Sequence, residues 1–146
     1  MNVRVTTIAV AMLGIAACGT RAGGPPPIVV DRSACSHCGM LISELRYAAA
    51  YQPAGKEARV FDDIGCLRAA AASEAGPLTF WFHDGGDGTW IDGTPAAFVE
   101  SSEIRTPMSG GVIAFRDAAA ARRAASTYRG RIVGSVSDLL VKEGKS

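Results

Sequence analysis

Soft sulfur donors stand at two widely separated places in this chain. Cys35-Ser36-His37-Cys38-Gly39-Met40 carries two thiols and a thioether, and Thr106-Pro107-Met108-Ser109-Gly110-Gly111 carries a further thioether far downstream. Cys38 and Met40 lie two residues apart, so an extended backbone would send both side chains to one face, which Gly39 leaves open. A thiolate paired with a thioether selects Cu(I), whereas zinc is served by Cys, His and carboxylate and makes little use of Met. The pattern therefore points to Cu(I) binding. Spacing alone leaves Cys35-x-x-Cys38 open as a disulfide, half of a zinc site or a redox pair. It also leaves Met108 open as a filler of an irregular core gap.

The N-terminus points to export. Met1-Asn2-Val3-Arg4 carries one positive charge, Ile8 to Ala17 is an apolar run, and Ala16-Ala17 supplies small residues for cleavage, so residues 1–17 read as a signal peptide. The run is too short to span a bilayer. Leu13-Gly14-Ile15-Ala16-Ala17-Cys18 resembles the lipobox of bacterial lipoproteins, with Ile15 where Leu is usual. That resemblance implies acylation of Cys18 and a protein anchored by lipid on the periplasmic side of a membrane. Thr20 to Pro27 reads as a Gly/Pro-rich tether within residues 18–33. A domain over 34–140 and a tail over 141–146 complete the expected organisation.

Removal of residues 1–17 leaves 14 basic side chains against 14 acidic ones. A near-neutral chain without basic clusters offers no footing for nucleic acid. With Cys18 lipidated, Cys35, Cys38 and Cys66 are an odd number of thiols in an oxidising compartment, so at least one stays unpaired and is best protected by a metal or by burial.

The elements that must position these residues read as a repeat. Tyr47 to Tyr51 and Ala58 to Phe61 are strand candidates around the turn Gln52-Pro53-Ala54-Gly55. A helix capped by Asp62 or Asp63 carries Ile64, Leu67 and Ala71 on one face. It stops at Gly76-Pro77 before a strand over Leu78 to His83. The second pass gives strands over Ala96 to Val99 and Val112 to Phe115. Asp117 then caps an Ala-rich helix over Ala118 to Tyr128 that ends at Arg129-Gly130, before the strand Arg131-Ile132-Val133. The fold expected is α+β, two similar β-β-α-β modules in one compact domain. Asp84-Gly85-Gly86-Asp87-Gly88 between them reads as a solvated connector.

Five ordered motifs resemble the NosL family of copper chaperones that assist assembly of nitrous oxide reductase. They are Cys35-x-x-Cys38-Gly39-Met40, Phe61-Asp62-Asp63-Ile64-Gly65-Cys66, Trp90-Ile91-Asp92, Thr106-Pro107-Met108 and Ala114-Phe115. The resemblance implies a periplasmic Cu(I)-binding lipoprotein, not an enzyme, whose partner is apo nitrous oxide reductase or another periplasmic copper enzyme. It maps the metal site to Cys38, Met40 and Met108, with Cys35 in a supporting metal or redox role. It also implies a fold of two β-β-α-β modules.

The remaining residues have plainer readings. His37 is expected to be solvated, His83 buried and hydrogen-bonded, Cys66 a packed small side chain, Asp62 and Asp63 helix caps, and Trp81 and Trp90 core. A thiol-disulfide redox protein using Cys35 and Cys38 is the first rival function, although such proteins place the motif at a helix N-terminus. The second is a zinc-stabilised interaction module using Cys35, Cys38, Cys66 and a His, for which no second Cys-x-x-Cys exists.

Overall fold

Two aspartates set the frame, because each caps a helix that lies across a small antiparallel sheet. A computed structural model of the chain describes residues 23–141. The signal segment, Cys18 and the tail after residue 141 lie outside the described residues. The elements in order are β1 (Ala49–Pro53), β2 (Arg59–Phe61), α1 (Ile64–Ala71), β3 (Leu78–His83), β4 (Trp90–Asp92), β5 (Ala97–Glu100), β6 (Val112–Phe115), α2 (Ala118–Tyr128), β7 (Arg131–Val133) and α3 (Val136–Leu140). One antiparallel sheet has the order β2-β1-β3-β4 and the other β6-β5-β7. The β-β-α-β repeat is thus present twice, and the domain is α+β as expected.

Asp63 accepts from the Gly65 amide at 2.5 Å and Asp117 from the Ala120 amide at 2.7 Å, so each carboxylate satisfies a donor that the first helical turn leaves without a partner. The core is shared by the two modules. Phe61, Ile64, Leu67 and Phe82 of the first pack with Phe98, Ala114 and Val133 of the second, and the Phe82 and Phe98 rings meet edge to face at 4.8 Å. Among the described residues no helix is long and apolar enough to cross a membrane.

Three expectations are corrected by this architecture. The first strand starts at Ala49, because Leu45–Tyr47 forms a 3-10 turn that buries Tyr47. Trp90-Ile91-Asp92 adds a fourth strand to the first sheet, and Trp90 is only half-buried, its ring 3.8 Å from that of His83, while Trp81 is core. The Asp84–Gly88 segment is no mere solvated connector. Asp84 is buried and bridges to Ala114, and its carboxylate accepts from Gly86, from the Arg116 amide at 3.0 Å and from Arg116 Nε at 2.9 Å, which joins the two sheets. Helix α2 ends at Arg129-Gly130 as expected, with Arg129 in the left-handed conformation (φ 46°). Gly130 is needed for space, since a Cβ there would lie 2.5 Å from Val99 Cγ1.

The hydrogen-bonded body also reaches back into the segment assigned to the tether. Asp31 N donates to Ile42 O and Ile42 N to Ser33 O, both at 2.9 Å. This short pairing continues into the Ala34–Leu41 bridge that closes the cysteine loop.

Candidate metal centre

The cysteine loop is a tight hairpin, not an extended strand. Cys35 N donates to Met40 O at 2.8 Å and Gly39 N to Cys35 O at 2.9 Å, with residues 36 to 38 in a turn. Gly39 takes φ +78°, a left-handed conformation that favours glycine. Cys38 and Met40 therefore do not share a face through alternation along a strand. Ser36 N donates to Val60 O at 2.8 Å, which ties the loop to β2.

That tie brings the loop against the chain where β2 turns into α1. The side-chain ligand atoms of Cys35, Cys38, Asp62 and Cys66 all lie within 4.8 Å of one another. Cys35 and Cys66 are buried, and Cys38, half-buried, forms the mouth. Asp62 is 1% exposed, and its Oδ1 and Oδ2 lie 3.8 and 4.0 Å from Cys38 Sγ. All three thiols are free.

Burial pushes the Cys35 thiol up, partly offset by backbone N–H groups of the same loop. Burial also pushes Cys66 far up, with further increments from the charges of Cys35, Asp62 and Cys38. Both therefore keep their protons at neutral pH in the metal-free protein, and an entering cation must displace any proton it replaces.

One expectation for this cluster is corrected: Asp62 does not cap α1, because Asp63 does. Cys66 is packed in the core as expected, and its thiol also lies among the ligand atoms of the cluster. The signal was present in their spacing. Cys66 follows Asp62 by four positions at a helix start, which puts them on one side of the first turn, and the odd thiol count asks for a protecting environment.

The methionines lie at the surface. Met40 is 57% exposed and Met108 39%. Met40 belongs to the cysteine hairpin through its carbonyl bond to Cys35. Met108 is brought from 45 residues away to the N-terminus of α1, where its amide donates to Asp63 Oδ2 at 3.1 Å. The structure thus docks both sulfur-bearing loops on the Asp62-Asp63 corner. His37 is exposed, and His83 is buried with Nδ1 3.1 Å from Ala48 O, as expected. Neither belongs to the cluster.

The NosL family model matches residues 27–139. The chain belongs to the NosL family. Among solved structures, it is similar to the copper chaperone NosL from Shewanella denitrificans at 19% identity and a TM-score of 0.58, over 75% of this chain and 94% of that one. At that identity the likeness speaks for the fold. No curated protein matches. The NosL match spans the hairpin, the Asp62-Asp63 corner and the Met108 loop, so the whole candidate centre lies inside the family domain.

Proposed function

We propose that this NosL protein binds one Cu(I) through Cys38, Met40 and Met108 and passes it to a recipient copper protein. The observation that carries the reading is the half-buried Cys38 thiol at the mouth of a three-thiol cluster, in a loop that exposes Met40, with the loop that exposes Met108 docked on Asp63, the neighbour in sequence of the cluster's Asp62. One thiolate supplies binding strength. Thioethers stay uncharged, are not drawn into disulfides and favour Cu(I) over zinc, so the ion is held softly enough to exchange. Exposed thioether ligands leave an incoming donor of the recipient room to attack the metal, and Cys35 supports the site from below. Family membership and the named copper-chaperone neighbour favour the same cargo.

On this reading the chain is a chaperone and not an enzyme. The recipient is apo nitrous oxide reductase or another periplasmic copper enzyme, and the lipid on Cys18 holds the chaperone at the periplasmic side of the membrane. Cu(I) competition against a chromophoric chelator in oxygen-free buffer tests the site. Cys38→Ser should abolish tight binding, while Met40→Ala and Met108→Ala should weaken it. A specific observation also supports a zinc reading, since three thiols and a carboxylate are a zinc complement. Metal analysis after loading with equal copper and zinc separates the two readings. Preferential zinc uptake, unchanged when both methionines are replaced, would overturn the copper site.

A further inference from the structure

We propose that Asp63 is the positioning residue that brings Met108 into the metal site, by holding the 106–110 loop on the N-terminus of α1 beside the thiol cluster. The inference rests on the copper reading above. Asp63 is fully buried and uses both carboxylate oxygens. Oδ1 accepts the capping bond from Gly65 N, and Oδ2 accepts from Thr106 Oγ1 at 2.5 Å, Met108 N at 3.1 Å and Gly110 N at 3.3 Å.

Ordinary helix capping accounts for only the first of these bonds. Asp117, at the equivalent place in the second module, is an exposed cap whose side chain accepts from Ala120 N. The three bonds to the downstream loop are what distinguish Asp63. They are charge-assisted and accepted by a fully buried carboxylate, which makes them stronger and more directional than neutral surface contacts.

The fit allows little sliding. A Cβ on Gly110 would stand 2.2 Å from Asp63 Oδ1, and one on Gly65 would stand 3.0 Å from Gly110 Cα. Thr106, itself buried, also receives the Gly111 amide at 3.2 Å, so its hydroxyl joins the carboxylate to the far end of the same loop. The loop reverses through Ser109 (φ 58°) and Gly111 (φ 65°), which leaves Met108 at its exposed crest. The neighbouring carboxylate, Asp62, faces Cys38. Adjacent aspartates thus register the two halves of the site: one meets the thiols and the other fixes the backbone from which the remote thioether hangs.

The test is a double-substitution cycle in the full-length protein. Asp63→Asn keeps the shape, but its amide offers one acceptor oxygen where four donors converge, so either the cap or the loop is released. Thr106→Val removes the hydroxyl's two loop bonds, to Asp63 and from Gly111, without touching the cap, and serves if Asp63→Asn does not fold. Cu(I) affinity is read by chelator competition, and sulfur coordination by X-ray absorption. Each variant should weaken binding by about 10–100-fold, the usual effect of losing a group that orients a metal ligand. Each should also remove one sulfur from the copper shell. Met108→Leu added to either should then cost nothing more. Met108→Leu without effect in the native background would remove the copper reading and this inference with it. Met108→Leu that weakens binding equally in the native and the Asp63 or Thr106 backgrounds would refute the positioning role alone.

Discussion

Replacing Asp62 by Asn should weaken copper binding while leaving the metal-free fold as stable as before or more so. The carboxylate is 1% exposed, and its hydrogen-bond partners are thiols rather than a cation. Burying it is therefore a cost that the metal-free protein bears. A Cu(I) held by Cys38 Sγ, which lies 3.8 Å from Asp62 Oδ1, would sit about 4 Å from that charge. Coulomb attraction at 4 Å is about 1 kcal/mol in water and about 4 kcal/mol at an effective dielectric of 20. The site is half-open at Cys38, so the loss should fall between those limits, about 5-fold to 1000-fold in affinity.

Chelator competition reads the loss of affinity, and thermal melts of the metal-free proteins read the cost of burial. Unchanged or tighter copper binding in Asp62→Asn would refute the assignment of Asp62 to the site. A large loss of apo stability would refute the claim that it is buried at a cost.

Three further outcomes are expected. Burial lowers the His83 pKa below its ordinary value of 6.5, only partly offset by the bond to Ala48 O, so the unfolded chain takes up the proton first as pH falls. Stability should then drop below pH 6.5 by up to about 1.4 kcal/mol per pH unit until the folded-state pKa is passed, and urea titrations of His83→Gln should lack that slope. Arg129→Gly should raise stability by about 0.5–1 kcal/mol, seen as a higher urea midpoint, because a left-handed residue with a Cβ is strained and the exposed pair with Glu103 at 3.4 Å adds little. Cys18→Ser should move the protein from the membrane to the soluble fraction, and a wild-type protein already soluble would contradict the lipid anchor.

Local chemistry was enough to read the repeat. Asp63 and Asp117 announce helices, Ala-rich sequence continues the second one, and the β-branched and aromatic runs at 78 to 83 and 112 to 115 form strands at the bounds their composition suggests. These signals act within a few residues, where propensity and capping operate. The left-handed residue after α2 was legible only in part. Its glycine marked the right place, but the tight contact of Gly130 with Val99 claimed that glycine for packing and passed the strained conformation to Arg129.

The sequence by itself determined the donor chemistry: two thiols and a thioether in one short loop, a second thioether in a Gly-rich turn, and a third thiol near a helix start. Only the tertiary structure decided which of them meet. Asp62 and Asp63 look alike as helix caps in a linear reading, yet one faces Cys38 and the other holds the amide of Met108. Cys66 looks like core until β2 pairs with β1 and the hairpin docks on Val60 O, which sets its sulfur beside Cys35 and Cys38. The physical reason is that these neighbours come from segments tens of residues apart. Their contacts depend on sheet register, burial and the space left by Gly65 and Gly110, and local preference encodes none of these.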